Sequence, residues 1–207
     1  GSVGDMLLRT AEESDADIVV VGVHDQRRHT PRRLGATVSE LLRHTTRPLA
    51  IVADRPARDE PSAATSPTVV AGVGPGDTSR ESLRWAAAYA ADNGFGLELV
   101  RALPSHSVFS PDGLFDLMAY FIDRDMARDW AMADIESLAD EIVRANDLDI
   151  AVNWSAPRGS TGPLLVKASQ GAALLVLGLQ DDPSDAAPAD NEVPAWLHHA
   201  VIHAPCP

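Results

Sequence analysis

The residues whose types and spacing could do chemistry together lie in one stretch, GVHDQRRHTPRRLGATVS, from Gly22 to Ser39. Gly22 and Gly35 bracket a segment that holds Arg27, Arg28, Arg32 and Arg33 against one acid, Asp25. Glycine lets backbone N–H groups approach an anion closely. A helix opening at Gly35 would aim its N-terminus, with its unpaired N–H groups and partial positive charge, at the same spot. The imidazole of His24 and the hydroxyls of Thr37 and Ser39 complete the set. The candidate contacts are therefore Gly22, His24, Arg32, Arg33, Gly35, Thr37 and Ser39, and the chemistry is the binding of a phosphate or polyphosphate. A solvated loop whose arginines pair with nearby acids has the same composition. No nucleophile, general base or metal ligand set accompanies these residues, so no catalytic residue is assigned.

The elements that must position this loop can be read from hydrophobic periodicity. Residues 4–14 form an amphipathic helix with Met6, Leu7 and Thr10 or Ala11 on one face. Ile18 to Val21 is a run of β-branched residues ending at Gly22, apolar on both faces as in a buried parallel strand. A second helix covers about 36–45, with Val38, Leu41 and Leu42 inward, and Pro48 precedes a strand at Leu49 to Val52. Helix, strand, helix, strand at this spacing means a parallel sheet with helical crossovers. Residues 55–66 carry prolines and little that is apolar except alanine, which is a linker composition.

A second unit begins near residue 67. Strands are expected at Thr68 to Val73, Leu97 to Leu103, Ile150 to Trp154 and Ala172 to Leu177. Helices are expected from a cap at Asp77, Thr78 or Ser79 to about Asn93, over about 114–146 in one piece or two, over 162–170, and over 194–203. ESDADIVVVGV (13–23) resembles SQGAALLVLGL (169–179), and LLRHTTRP (41–48) resembles AVIHAPCP (200–207). This internal repeat makes the front segment, 3–54, the second half of a unit, and makes 67–207 a unit lacking its last strand. The front segment could dock as a pseudo-dimer partner or supply the missing strand.

The net charge of −13 excludes a phosphate-backbone partner bound through clustered Lys and Arg, so no nucleic acid is expected. The single cysteine, Cys206, forms no internal disulfide, and no export signal or bilayer-length apolar run is visible. A cytoplasmic protein without a membrane association is expected. The acids Asp181, Asp182 and Asp185 lack the spacing of a calcium loop, and His198, His199 and His203 read as an amphipathic helix rather than a zinc site. Trp85, Trp130, Trp154 and Trp196 are expected in the core or an interface. Phe115, Met118, Phe121, Ile122 and Met126 recur at helical spacing as a core stripe.

VVAGVGPGDTSRESLRWAAAYAADNGFGLELVRAL and ADIVVVGVHDQRRHTPRRLGATVSELLRHTTRPLAIV resemble, respectively, the opening and the nucleotide-loop end of a universal stress protein domain. The resemblance covers most of the chain and is that of a tandem member lacking the first half of its first copy. It implies an α/β fold of the adenine nucleotide hydrolase-like type, a five-stranded parallel sheet with helices on both faces. It also implies ATP or another adenine nucleotide as a small-molecule ligand, Mg²⁺ only with that nucleotide, no enzymatic activity, and a homodimer formed through sheet edges. The family's loop reads Gly, two residues, Gly, nine residues, Gly, then Ser or Thr. Gly22 and Gly35 match its first and third glycines, Asp25 stands for the second, and Ala36 stands for the hydroxyl residue. In the second unit Gly74 stands where an Asp meets the base, and Pro194 falls near the third glycine. The competing expectation is a nucleotide-independent interaction protein whose sites have decayed.

Overall fold

The computed structural model describes residues 1–23, 34–53, 67–74, 80–103, 114–145, 147–178 and 193–207. The front segment runs α1 (Val3–Glu13), β1 (Val19–Val23), α2 (Ala36–His44), β2 (Leu49–Ala53). The back segment runs β3 (Thr68–Gly72), α3 (Arg80–Asn93), β4 (Gly96–Val100), α4 (Leu114–Ala145), β5 (Val152–Ser155), α5 (Thr161–Ala168), β6 (Leu174–Leu177), α6 (Ala195–His203). All pairings are parallel, as the alternation of strands and helices requires. The back sheet has the order β5-β4-β3-β6, and β1 and β2 form a separate two-stranded sheet. The expected α/β class with parallel sheets is the observed one, with four and two strands among the described residues. The front strands pair with each other and not with the back sheet. The linker stretch 55–66, the caps at 77–79 and the acidic loop lie outside the described residues.

The back sheet is covered on both faces because its strands alternate between two apolar sets. Val69, Ala71, Leu97 and Leu99 pack with Leu83, Ala86, Ala87 and Ala90 of α3 and with Ile135, Leu138 and Ile142 of α4. Val70 and Val100 face the other way, onto Leu165 of α5 and Trp196 of α6. The four α3 residues recur at i, i+3, i+4 and i+7, and three of them are alanines, so the helix axis can lie close to the sheet. The long helix expected over 114–146 is one element, α4, without a break.

Several expected faces are shifted. In α1 the buried residues are Gly4 and Ala11, with Leu8 half-buried, whereas Met6 and Leu7 are 56% and 36% exposed. The reason is the crossing with α2. A Cβ on Gly4 would lie 2.5 Å from Glu40 Oε2, so a residue without a side chain sits at the contact and hydropathy does not mark it. In β1 the face of Val20 and Gly22 is exposed, with Val20 at 62%, so the strand is buried on one face only. Met126 is 46% exposed, against the expectation of a core stripe, and Trp130 and Trp85, expected in the core or an interface, are 67% and 40% exposed. Trp154 and Trp196 are partly buried against the two clusters. The side chains of Phe115, Met118, Phe121 and Ile122 lie outside the described residues.

The two stretches that resemble each other in sequence share backbone detail. Asp15 and Gly171, 156 positions apart, both have positive φ (49° and 80°) just beyond a helix end. Val19 N–H donates to Pro48 O at 2.9 Å, and Leu175 N–H donates to Pro207 O at 2.8 Å. Thr45 N–H closes α2 onto Leu41 O as Ala204 N–H closes α6 onto Ala200 O. Gly162 sits at the α5–α6 crossing as Gly4 does at α1–α2, with a Cβ position 2.8 Å from Trp196 O and 2.9 Å from His199 Cβ.

Candidate functional site

The strand-to-helix connection of the front segment leaves Gly22 near the carboxyl end of β1 and brings the chain back at Gly35 to start α2. In open parallel sheets this is the end where ligands bind. Gly35 is the N-cap of α2 (φ −63°, ψ 154°) and supplies no side-chain cap. Ser39 N–H is the first to bond within the helix, to Gly35 O at 3.0 Å. The N–H groups of Ala36, Thr37 and Val38 therefore have no intrahelical acceptor, as at every helix start. The first turn of α2 holds no acidic residue, so its dipole is not offset by a local carboxylate.

Among the described residues, nothing lies within 4 Å of a Cβ added at Gly22 or at Gly35. Neither glycine has a positive φ, so what each contributes is open space beside the backbone rather than an unusual conformation. That space and the uncapped N–H groups fit a phosphate. Thr37 and Ser39 are half-buried on the first turns of α2, while Ala36, at the position of the family hydroxyl, has none to offer. Of the candidate contacts, Gly22 lies in β1, and Gly35, Thr37 and Ser39 lie at the N-cap and first turns of α2. His24, Arg32 and Arg33, with Asp25, Arg27 and Arg28, lie outside the described residues.

Contacts at the back of α2 hold its N-terminus in place. Val38 and Leu41 are buried, Leu41 completely. Ser2 Oγ accepts from Asp5 N–H at 3.1 Å as the N-cap of α1 and donates to Glu40, 2.5 Å from Oε1 and 2.6 Å from Oε2. Arg47 donates to Ala16 O at 2.9 Å and to Asp15 Oδ1 at 2.7 Å, which ties the turn before β1 to the turn before β2.

The corresponding end of the back sheet is built differently. Gly74 follows β3 and is half-buried, and it has no side chain to offer there. Gly178 follows β6 as Gly22 ends the apolar run of β1. His199 and His203 are on one face of α6 with ring centroids 4.5 Å apart. Among the described residues no group of three or more His, Cys, Asp or Glu is placed to hold a metal ion. No helix among them is long and apolar enough to cross a membrane.

One feature was not anticipated from composition. A cleft of about 630 Å³ separates the β2 edge (Leu49, Ala50, Ile51) from the β6 edge (Leu174 to Gly178). Its signal in the sequence was the repeat itself, in which Pro48 leads into a strand and Pro207 is the matching residue.

Comparison with known proteins gives the front segment its relatives. The model of the universal stress protein family matches residues 1–53. The chain as a whole carries the fold of that family: a universal stress protein from Archaeoglobus fulgidus DSM 4304 superposes over 98% of this chain and 62% of its own, with TM-score 0.55 and 11% identity. Universal stress protein UspA from Lactobacillus plantarum matches 69% of this chain and 95% of its own, with TM-score 0.47 and 17% identity. A universal stress protein in complex with cAMP matches 69% of this chain and 94% of its own, with TM-score 0.44 and 18% identity. No curated protein matches the chain.

Proposed function

We propose that the chain is a non-enzymatic stress-response module of the universal stress type that binds ATP, another adenine nucleotide or a similar small ligand. Its phosphates lie at the start of α2. Gly22 and Gly35 admit the phosphate oxygens to the backbone, and Ala36, Thr37 and Val38 donate N–H groups. The side chains of His24, Arg32, Arg33, Thr37 and Ser39 surround them. Mg²⁺ enters only with the nucleotide. The observation that supports this reading is the N-terminus of α2, which has no side-chain cap and no acid in its first turn and begins at Gly35, whose Cβ position no described residue approaches within 4 Å.

The same reading takes the chain as a tandem protein, with residues 3–54 as the end of one universal stress domain, 55–66 as a linker and 67–207 as a second domain. It works in the cytoplasm as a homodimer paired through sheet edges, and engages neither nucleic acid nor membrane. A second reading, a nucleotide-independent interaction protein, is favoured by Gly74 at the strand end where the family places an Asp. Isothermal titration with ATP, with and without Mg²⁺, distinguishes the two. Micromolar binding that is lost in Gly35→Asp supports the nucleotide module, since the substitution puts a carboxylate against the phosphates. No heat at millimolar ATP leaves the interaction protein.

A further inference from the structure

The long helix α4 carries apolar residues on two opposite sides, one after the other along its length. In its second half Ala131, Ile135, Leu138, Ala139 and Ile142 are buried in the main core cluster. Met126 lies nine positions before Ile135, about two and a half turns, and so on the opposite side of the helix. Met126 and Trp130, about one turn apart, are both exposed. Positions 122, 118 and 115, occupied by Ile, Met and Phe, fall about one, two and three turns before Met126. The apolar side therefore runs for about four turns of the helix backbone, and it points away from the side that makes the core. Single exposed apolar residues are ordinary on a protein surface, whereas a row of them on one helix face marks an interaction surface.

The charges beside this face are negative. Asp129 and Glu136, about two turns apart on one border, are exposed and make no ion pair with a described residue. Asp134, Asp140 and Glu141 differ, being paired with Arg101, Arg144 and Arg80. Asp116 and Asp123 hold positions on the other border, again about two turns apart. Arg124 and Arg128 stand eleven and seven positions before Ile135, about three and two whole turns, and so on the core side. The outward face thus has an apolar centre and acidic borders. A second copy of a chain with net charge −13 would bring acid against acid, and an anionic surface would be repelled in the same way. A helix with apolar residues on one side and Lys or Arg beside them would cover the centre and pair with the borders. Its cations would also gain from the face of the exposed Trp130 indole.

We propose that the outward face of the first half of α4, centred on Met126 and Trp130, docks a basic amphipathic helix of a partner protein. The proposal does not depend on nucleotide binding.

The test uses the purified chain and a dye-labelled peptide of about fourteen residues, made of leucine and lysine with the leucines at helical period. One control has the same composition in an order without that period, and another has glutamate in place of lysine. The expected result is saturable binding by anisotropy, weaker by about tenfold or more for the aperiodic peptide and absent for the glutamate peptide. Trp130→Ala with Met126→Ala, both at exposed positions, is expected to weaken binding about tenfold with an unchanged circular dichroism spectrum. Asp129→Asn with Glu136→Gln should weaken it several-fold. Asp5→Asn with Glu13→Gln, which removes the same charge from α1, should leave it unchanged. Equal binding of the periodic and aperiodic peptides, or binding indifferent to the Trp130 and Met126 changes, would mean attraction to net charge alone and would overturn the proposal. Absence of binding would overturn it as well. Self-association of the chain that the Trp130 and Met126 changes abolish would assign the face to a second copy. Adsorption to neutral phosphatidylcholine vesicles that the same changes abolish would assign it to a lipid surface. Either result refutes the proposal.

Discussion

The two glycines at the helix crossings offer a sharp check on the packing, because they occupy matching places and face different obstacles. Gly162→Ala puts a methyl group 2.8 Å from the backbone oxygen of Trp196 and 2.9 Å from His199 Cβ. A backbone carbonyl in the body of α6 cannot turn away, so α5 and α6 must separate. Overpacking of this kind costs about 1–3 kcal/mol. The gain from replacing glycine in a helix is at most about 1 kcal/mol, and less in the first turn where Gly162 lies. The net loss is about 1–2 kcal/mol, a fall in Tm of roughly 2–8 °C for a chain of this size. Gly4→Ala instead meets the end of the Glu40 side chain at 2.5 Å, with Glu40 Cβ at 3.0 Å. The carboxylate can swing off Ser2, giving up a solvent-exposed hydrogen bond, and the helix-propensity gain offsets most of that. A change within about 0.5 kcal/mol is expected. Urea and thermal unfolding of both variants beside the parent decide the matter. Equal effects, or a Gly162→Ala protein as stable as the parent, would refute the argument that the crossing is limited by the α6 backbone.

Leu41→Ala removes a fully buried side chain of α2, and a loss of about 2–5 kcal/mol is expected in urea unfolding followed in the front segment. Arg47→Ala should cost about 1–2 kcal/mol because two hydrogen bonds linking the turns before β1 and β2 go with it. Asp15→Asn should change thermal stability by less than about 0.5 kcal/mol, since the carboxylate is 89% exposed and asparagine tolerates the positive φ. Ser169→Ala, which removes the donor to Val166 O from a fully buried hydroxyl, should cost about 1 kcal/mol by the same assay.

The elements legible in the sequence were those with a strong apolar period. The run from Ile18 to Val21, the apolar stretch in Thr68 to Val73, and Val38 with Leu41 all mark their elements, within a residue or two at the ends. What hydropathy could not show was contact made by absence of a side chain. Gly4 carries the α1 face, and the reading that placed Met6 and Leu7 inward followed the larger apolar residues instead. Burial of β1 on both faces was inferred from β-branched content alone, yet Val20 is exposed because the two-stranded sheet is covered on one side.

The candidate site was legible in part for a similar reason. Gly22, Gly35 and the start of α2 follow from one glycine spacing and one helix signal; the structure has Gly22 in β1 and Gly35 at the N-cap of α2. The open space at both glycines and the missing side-chain cap are local geometry that spacing alone does not reveal. The cleft beside β6 depends on how two separate sheets face each other, which no single window of sequence encodes. Only the repeat, with Pro207 matching Pro48, pointed toward it.

The most direct test of the account is to follow the backbone amide resonances of the chain as ATP is added, since the claim is that phosphate is held by the start of α2. The account predicts saturable shifts centred on Gly22, Gly35, Ala36, Thr37 and Val38. Shifts centred on Gly74 and Gly178 instead, or unchanged spectra at millimolar ATP, would contradict it.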